Sequence, residues 1–213
     1  MAIPFSKQRL SPEDSALILI DHQSGIMQLV HDYPPAEFRN NVLALAKLGK
    51  AHDLPTVLTT SYDEGPNGPL IPELRAMYPD APLIRRPGQI SAWDNEDFVA
   101  AVRATGRKKL IMAGVTTDVC LAFPAMQAAE EGFTVYAVVD ASGANDTATQ
   151  QMAVQRMSAA GVIPVNWIVV AAELQRDWRL PSAPKTGEIF HQHLHNYGML
   201  IDNFAAQQAA RAQ

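Results

Sequence analysis

The chain has one cysteine in 213 residues. An internal disulfide is therefore excluded, and a reducing, cytoplasmic setting is expected. No apolar stretch approaches the roughly 20 residues of a membrane span. Residues 1–9 lack the apolar centre of a signal peptide. Lysine and arginine form no run longer than the three residues Arg107–Lys109, and the net charge is -5, so a nucleic-acid partner is not expected. Internal repeats and low-complexity tracts are missing. What remains is an ordinary globular composition, 47% apolar and 18% charged. Its length suits one domain, with or without an appended arm.

The most informative stretch is Lys109 to Cys120. Leu110–Ala113 is apolar, too short for a helix and bounded by Gly114, so it reads as a buried strand. Thr116, Thr117 and Asp118 each suit a helix cap. From Val119 the apolar residues Leu121, Ala125, Ala128 and Ala129 fall at helical spacing until Gly132. Cys120 is thus expected in the first turn of a helix that follows a strand. Helix N-termini favour negative charge, a thiolate included, which is the setting a nucleophilic cysteine needs.

Similar alternation runs through the chain. Ser15–Ile20 reads as a strand buried on both faces and ends at Asp21. Residues 35–53 read as a helix, with Pro34 and Pro35 at its start and Phe38, Val42, Leu45, Ala46 and Leu48 on its buried stripe. Residues 55–60 read as a second strand, and 64–69 as a loop. A short helix over 73–77 and a short strand over 82–85 follow. Asp94 is expected to cap a helix over 95–105, with Asp97 at its third position. Residues 134–139 read as a fifth strand ending at Asp140. Asp146 or Thr147 starts a helix that Gly161 closes. Residues 163–170 read as a sixth strand and 171–178 as a short helix. These alternations predict an α/β fold of three layers, with an open, mostly parallel six-stranded sheet and helices on both faces. The composition changes after Arg179. Residues 1–180 are therefore expected to form the main domain, and 181–213 a C-terminal helical arm.

In such folds ligands bind beyond the carboxyl ends of the strands. Asp21 follows the first strand, Arg86 the third and Cys120 the fourth. Each has an ordinary structural reading: a turn aspartate, a solvated arginine, a small buried cysteine. Together on one rim, they suggest covalent catalysis by a base-activated nucleophile.

The segments Ile18–Gln23, Arg86–Phe98 and Ala113–Cys120 resemble the isochorismatase-like cysteine hydrolases, and within them the YcaC-type subgroup. So do 67–72, 130–132 and 173–178. The resemblance covers roughly residues 12 to 180. It implies a catalytic triad of Asp21, Arg86 and Cys120, with arginine where much of the superfamily has lysine. An arginine holds its charge at every usable pH, so it can stabilise and orient but cannot shuttle protons. The resemblance also implies a cis peptide at Val115–Thr116 and an oxyanion hole formed by the Thr116 and Cys120 amides. Trp93 and Gln23 are the substrate-binding candidates, Trp93 being as readily a core aromatic.

The activity implied is hydrolysis of a small amide or related C–N bond through a Cys120 thioester, without cofactor or metal. The stretch 59–65 lacks the histidine that metal-holding relatives carry there, and the histidines at 191, 193 and 195 alternate at strand-like spacing in the arm. Two other readings compete: a nicotinamidase- or isochorismatase-type hydrolase, and a non-catalytic assembly protein with a vestigial site. The resemblance further implies a homo-oligomer, an octamer, and the apolar arm offers surface for it. The Cys120 thiol is expected below the pKa of about 8.5 of a free thiol, through the helix terminus and Arg86.

Overall fold

The computed structural model describes residues 8–211. Six strands form one parallel sheet: β1 Ser15–Ile20, β2 Thr56–Ser61, β3 Leu83–Arg86, β4 Lys109–Gly114, β5 Thr134–Val138 and β6 Ile163–Val165. Their order is β3-β2-β1-β4-β5-β6. The chain winds outward from β1 in one direction and from β4 in the other. The topological switch point, where such sheets open a crevice, lies between those two strands.

All six residues of β1 are buried, as its uninterrupted apolar run requires. Its side chains divide by parity between two cores. Leu17 and Leu19 join Ile111, Tyr136 and Val138 on one face. Helices α1 (Pro35–Ala51), α2 (Pro72–Met77) and α6 (Trp167–Gln175) cover that face. Ala16, Ile18 and Ile20 join Leu110, Met112 and Val135 on the other, under α3 (Glu96–Ala104), α4 (Ala122–Glu130) and α5 (Thr147–Ala159).

Three local expectations are corrected. The sixth strand stops at Val165, and Trp167–Gln175 is helical. Asn166 caps that helix by accepting from the Val169 amide at 2.8 Å, so a cap decides what the β-branched run Ile168–Val170 leaves ambiguous. Asn95, not Asp94, caps α3, accepting from the Phe98 amide at 2.9 Å. Asp94 instead ends a short 3₁₀ turn, Ala92–Asp94.

The arm is two helices, α7 (Ala183–His193) and α8 (His195–Arg211). It does not stand off from the domain. Ile189 and Phe190 of α7 are buried in the first core. The Phe190 ring meets Trp167, Trp178 and Tyr197 edge-on at 5.8, 5.7 and 5.3 Å. Thr186 donates to Gln175 at 2.7 Å and accepts from the His52 ring at 3.1 Å. The arm histidines lie on helices, not a strand. His191 pairs with Asp202 of α8, and His193 bonds Asn40 of α1. Among the described residues, no group of three histidine, cysteine or acidic side chains is placed to hold a metal ion. No described helix is long and apolar enough to cross a membrane.

Candidate active site

Asp21 leaves the end of β1 with φ +58°, a left-handed conformation that costs free energy for a non-glycine residue and recurs at functional sites. Its amide is held by the Thr59 carbonyl at 3.0 Å. Its carboxylate is completely buried and takes one guanidinium nitrogen of Arg86 between its two oxygens, each at 2.5 Å.

Arg86, the last residue of β3, is 1% exposed. Its Nε donates to the Thr59 hydroxyl at 3.1 Å, and Nη1 donates to the carbonyls of Gln89 and Ile90. A guanidinium has five N–H donors, and all five have acceptors. Arg85 faces solvent and pairs with Asp63.

Cys120 stands beyond β4, in a turn of π-helix spanning Thr117–Leu121 that precedes α4. This corrects the expectation of a first α-helical turn. Such π-turns are frequent at functional sites. Gly114 makes the approach possible: a Cβ there would lie 3.0 Å from the Cys120 carbonyl oxygen. The Val115–Thr116 peptide is cis.

The thiol lies near enough to the Asp21 carboxylate and the Thr116 amide for both to act on its titration. Cys120 keeps some open surface, yet burial is the first influence on its thiol and pushes it far above the ordinary range. The neighbouring Asp21 charge adds to that, and Arg86 and the Thr116 amide oppose it less strongly. The expected lowering of this thiol is therefore reversed. Arg86 spends its hydrogen bonds on Asp21 and the loop, and reaches the sulfur only as a charge. Burial also raises Asp21 above the usual carboxylate value, against the pull of Arg86. Burial thus favours the neutral thiol of Cys120, while the enclosed Arg86 guanidinium works against burial to keep Asp21 ionised.

The other two candidates are held by contacts of their own. Trp93 is buried in the second core, edge-on to Phe98 and Phe133, with its indole N–H on Glu131 at 3.0 Å. Gln23 is buried and saturated by backbone. It donates to Ser61 and Gly68 carbonyls and accepts from the Ser61 amide at 2.8 Å. It ties the loop after β1 to the end of β2. Sequence reasoning missed His22, which sits unremarked inside the matched Ile18–Gln23 segment.

A parallel sheet with an acid and a thiol at its switch point defines the class: residues 15–168 match the isochorismatase domain, and the chain belongs to the isochorismatase-like hydrolase family. Over 196 residues it is 53% identical to the probable hydrolase YcaC of Escherichia coli, covering 92% of this chain and 94% of that one. The crystal structure of that YcaC, described as an octameric hydrolase of unknown specificity, superposes with a TM-score of 0.93. It has 52% identity and covers 97% of this chain and all of its own. YcaC from Pseudomonas aeruginosa, with hexane-2,5-diol and covalent acrylamide, superposes with a TM-score of 0.92 at 52% identity, over 96% of this chain and all of that one.

Proposed function

We propose that the protein is a cysteine hydrolase that cleaves a small amide or related C–N bond through a Cys120 thioester. The observation carrying this reading is the Cys120 thiol beside a fully buried, Arg86-anchored Asp21. Asp21 takes the thiol proton as the sulfur attacks the carbonyl carbon. The oxyanion rests on the Thr116 and Cys120 amides. Asp21 passes the proton to the departing nitrogen, then takes one from the water that opens the thioester, releasing acid and restoring the thiol. A carboxyl group with a raised pKa suits both directions of this transfer. Arg86 is the anchor that holds Asp21 in place.

The covalent acrylamide of the P. aeruginosa relative supports a reactive nucleophile in the family, since acrylamide adds readily to sulfur. This chain's only sulfhydryl is Cys120. We also propose self-assembly, as in the octameric E. coli relative, and operation in a reducing cytoplasm, where a lone thiol persists.

The test is turnover of a panel of small amides, ureas and carbamates, with ester controls. Cys120→Ala should abolish hydrolysis, and Asp21→Asn should lower kcat by at least about a hundredfold, in line with general-base contributions. Undiminished turnover by Cys120→Ala would overturn the proposal.

A further inference from the structure

His22 directly follows Asp21 and is completely buried. Its Nε2 lies 2.9 Å from the carbonyl oxygen of Ala141. A carbonyl only accepts, so Nε2 carries the proton and donates it. Nδ1 is then a bare lone pair, and it is buried without a hydrogen-bond partner. The ring is neutral. An orphaned buried nitrogen costs free energy that an apolar side chain of similar shape would avoid, so packing alone gives no reason for a histidine here.

The sheet order gives the bond its meaning. β4 lies between β1 and β5, which puts the ends of β1 and β5 about 10 Å apart. His22 spans that distance, from the end of β1 past the end of β4 to the loop after β5. The same loop grips the cysteine turn. The Gly143 carbonyl accepts from the Thr117 amide at 2.7 Å and from the Thr117 hydroxyl at 2.8 Å. The Ser142 hydroxyl accepts from the Gly114 amide at 3.1 Å and donates to the Val138 carbonyl at 2.7 Å. Thr117 and Ser142 are as fully buried as His22. Three consecutive residues, Ala141 to Gly143, therefore hold the loop that bears Asp21 and the turn that bears Cys120.

We propose that His22 and Thr117 are positioning residues that set the contact between Asp21 and the Cys120 thiol through this shared loop. The inference rests on the proposed function, in which Asp21 takes the thiol proton. Neither residue touches substrate.

The test is the rate of acrylamide addition to Cys120, followed by mass spectrometry between about pH 6 and pH 8. The sulfur lone pair forms the S–C bond at the terminal carbon of the double bond, and the proton ends on the carbon beside the amide. With Asp21 held against the thiol, deprotonation accompanies attack and the rate changes little with pH. Without that contact the reaction draws on free thiolate, whose population rises about tenfold per pH unit below the thiol pKa. The wild-type profile should be nearly flat. His22→Phe keeps a ring and loses the donor, and Thr117→Val keeps the shape and loses the hydroxyl. Both should acquire the steep slope, with the rate at about pH 6 falling at least tenfold while cooperative unfolding is retained. His22→Gln restores a donor to Ala141 and should recover the flat profile. If His22→Phe does not fold, Thr117→Val decides alone. Flat profiles in the folded variants, together with a steep one in Asp21→Asn, overturn the positioning roles and leave the base intact. A wild-type profile already steep and unchanged in Asp21→Asn overturns the base reading, and this inference with it.

Discussion

Arg86 shows how burial converts an electrostatic partner into a structural one. Its pair with Asp21 is fully enclosed, and removing one partner of such a pair strands the other charge. Arg86→Ala should therefore cost about 3–5 kcal/mol of stability, read from urea unfolding, besides weakening catalysis. Arg86→Lys supplies too few donors for the five acceptors and should recover only part of the loss. Acid sensitivity follows from two other groups, His22, which is fully buried, and Asp140, which is partly so. Burial holds His22 near 4, against about 6.5 in an unfolded chain. The unfolded state thus binds that proton first on acidification. The contribution is complete above about pH 6.5 and is lost as pH falls toward about 4. Asp140, raised by burial to about 6, works in reverse, favouring the fold as pH drops from about 6 to its unfolded value of about 3.9. The two partly cancel. Thermal melts of Asp140→Asn should show a steeper loss on acidification than the wild type, and an unchanged pH slope would remove Asp140 from this account.

At the scale of elements, caps decide what hydrophobic patterns leave open. Asn166→Ala should cost about 1 kcal/mol through loss of the α6 cap, measured by denaturant titration. Phe190→Ala should cost more, about 3–5 kcal/mol, because its ring is packed among Trp167, Trp178 and Tyr197. Much of the sheet was readable from the sequence. β1 is a clean apolar run, and Asp146 caps α5 as expected. Asp21, Arg86 and Cys120 could be placed on one rim because strand ends gather there whatever their separation in the chain. The α6 run was misread because Ile168–Val170 favours strand and helix about equally without its cap. The thiol's direction was misread because it depends on how deeply Cys120 and Asp21 are buried together, a three-dimensional quantity. His22 escaped notice because its bond partner is 119 residues away. How the arm docks is not legible in the sequence, because its anchors Thr186 and Phe190 meet His52, Trp167 and Gln175, partners that no local pattern reveals.

For the whole molecule, the docked α7 leaves α8 as the exposed apolar element. Met199, Leu200 and Phe204 are at least 60% exposed, an apolar ridge of the kind that marks interaction surfaces. Light scattering at micromolar concentration should give an oligomer, and replacing Leu200 and Phe204 by glutamate should shift it toward smaller species with the fold intact. A monomeric wild type would refute the assembly. The committed guanidinium of Arg86 has a further consequence on this scale. The molecule carries a net charge of -5, and at long range such a field slows the approach of anions and is screened by salt. An anion that reaches the site finds the Arg86 donors already satisfied and the Asp21 charge facing it. Uncharged solutes meet neither obstacle, so turnover of a neutral amide should be insensitive to ionic strength, while its carboxylate analogue should be a poor substrate that salt improves.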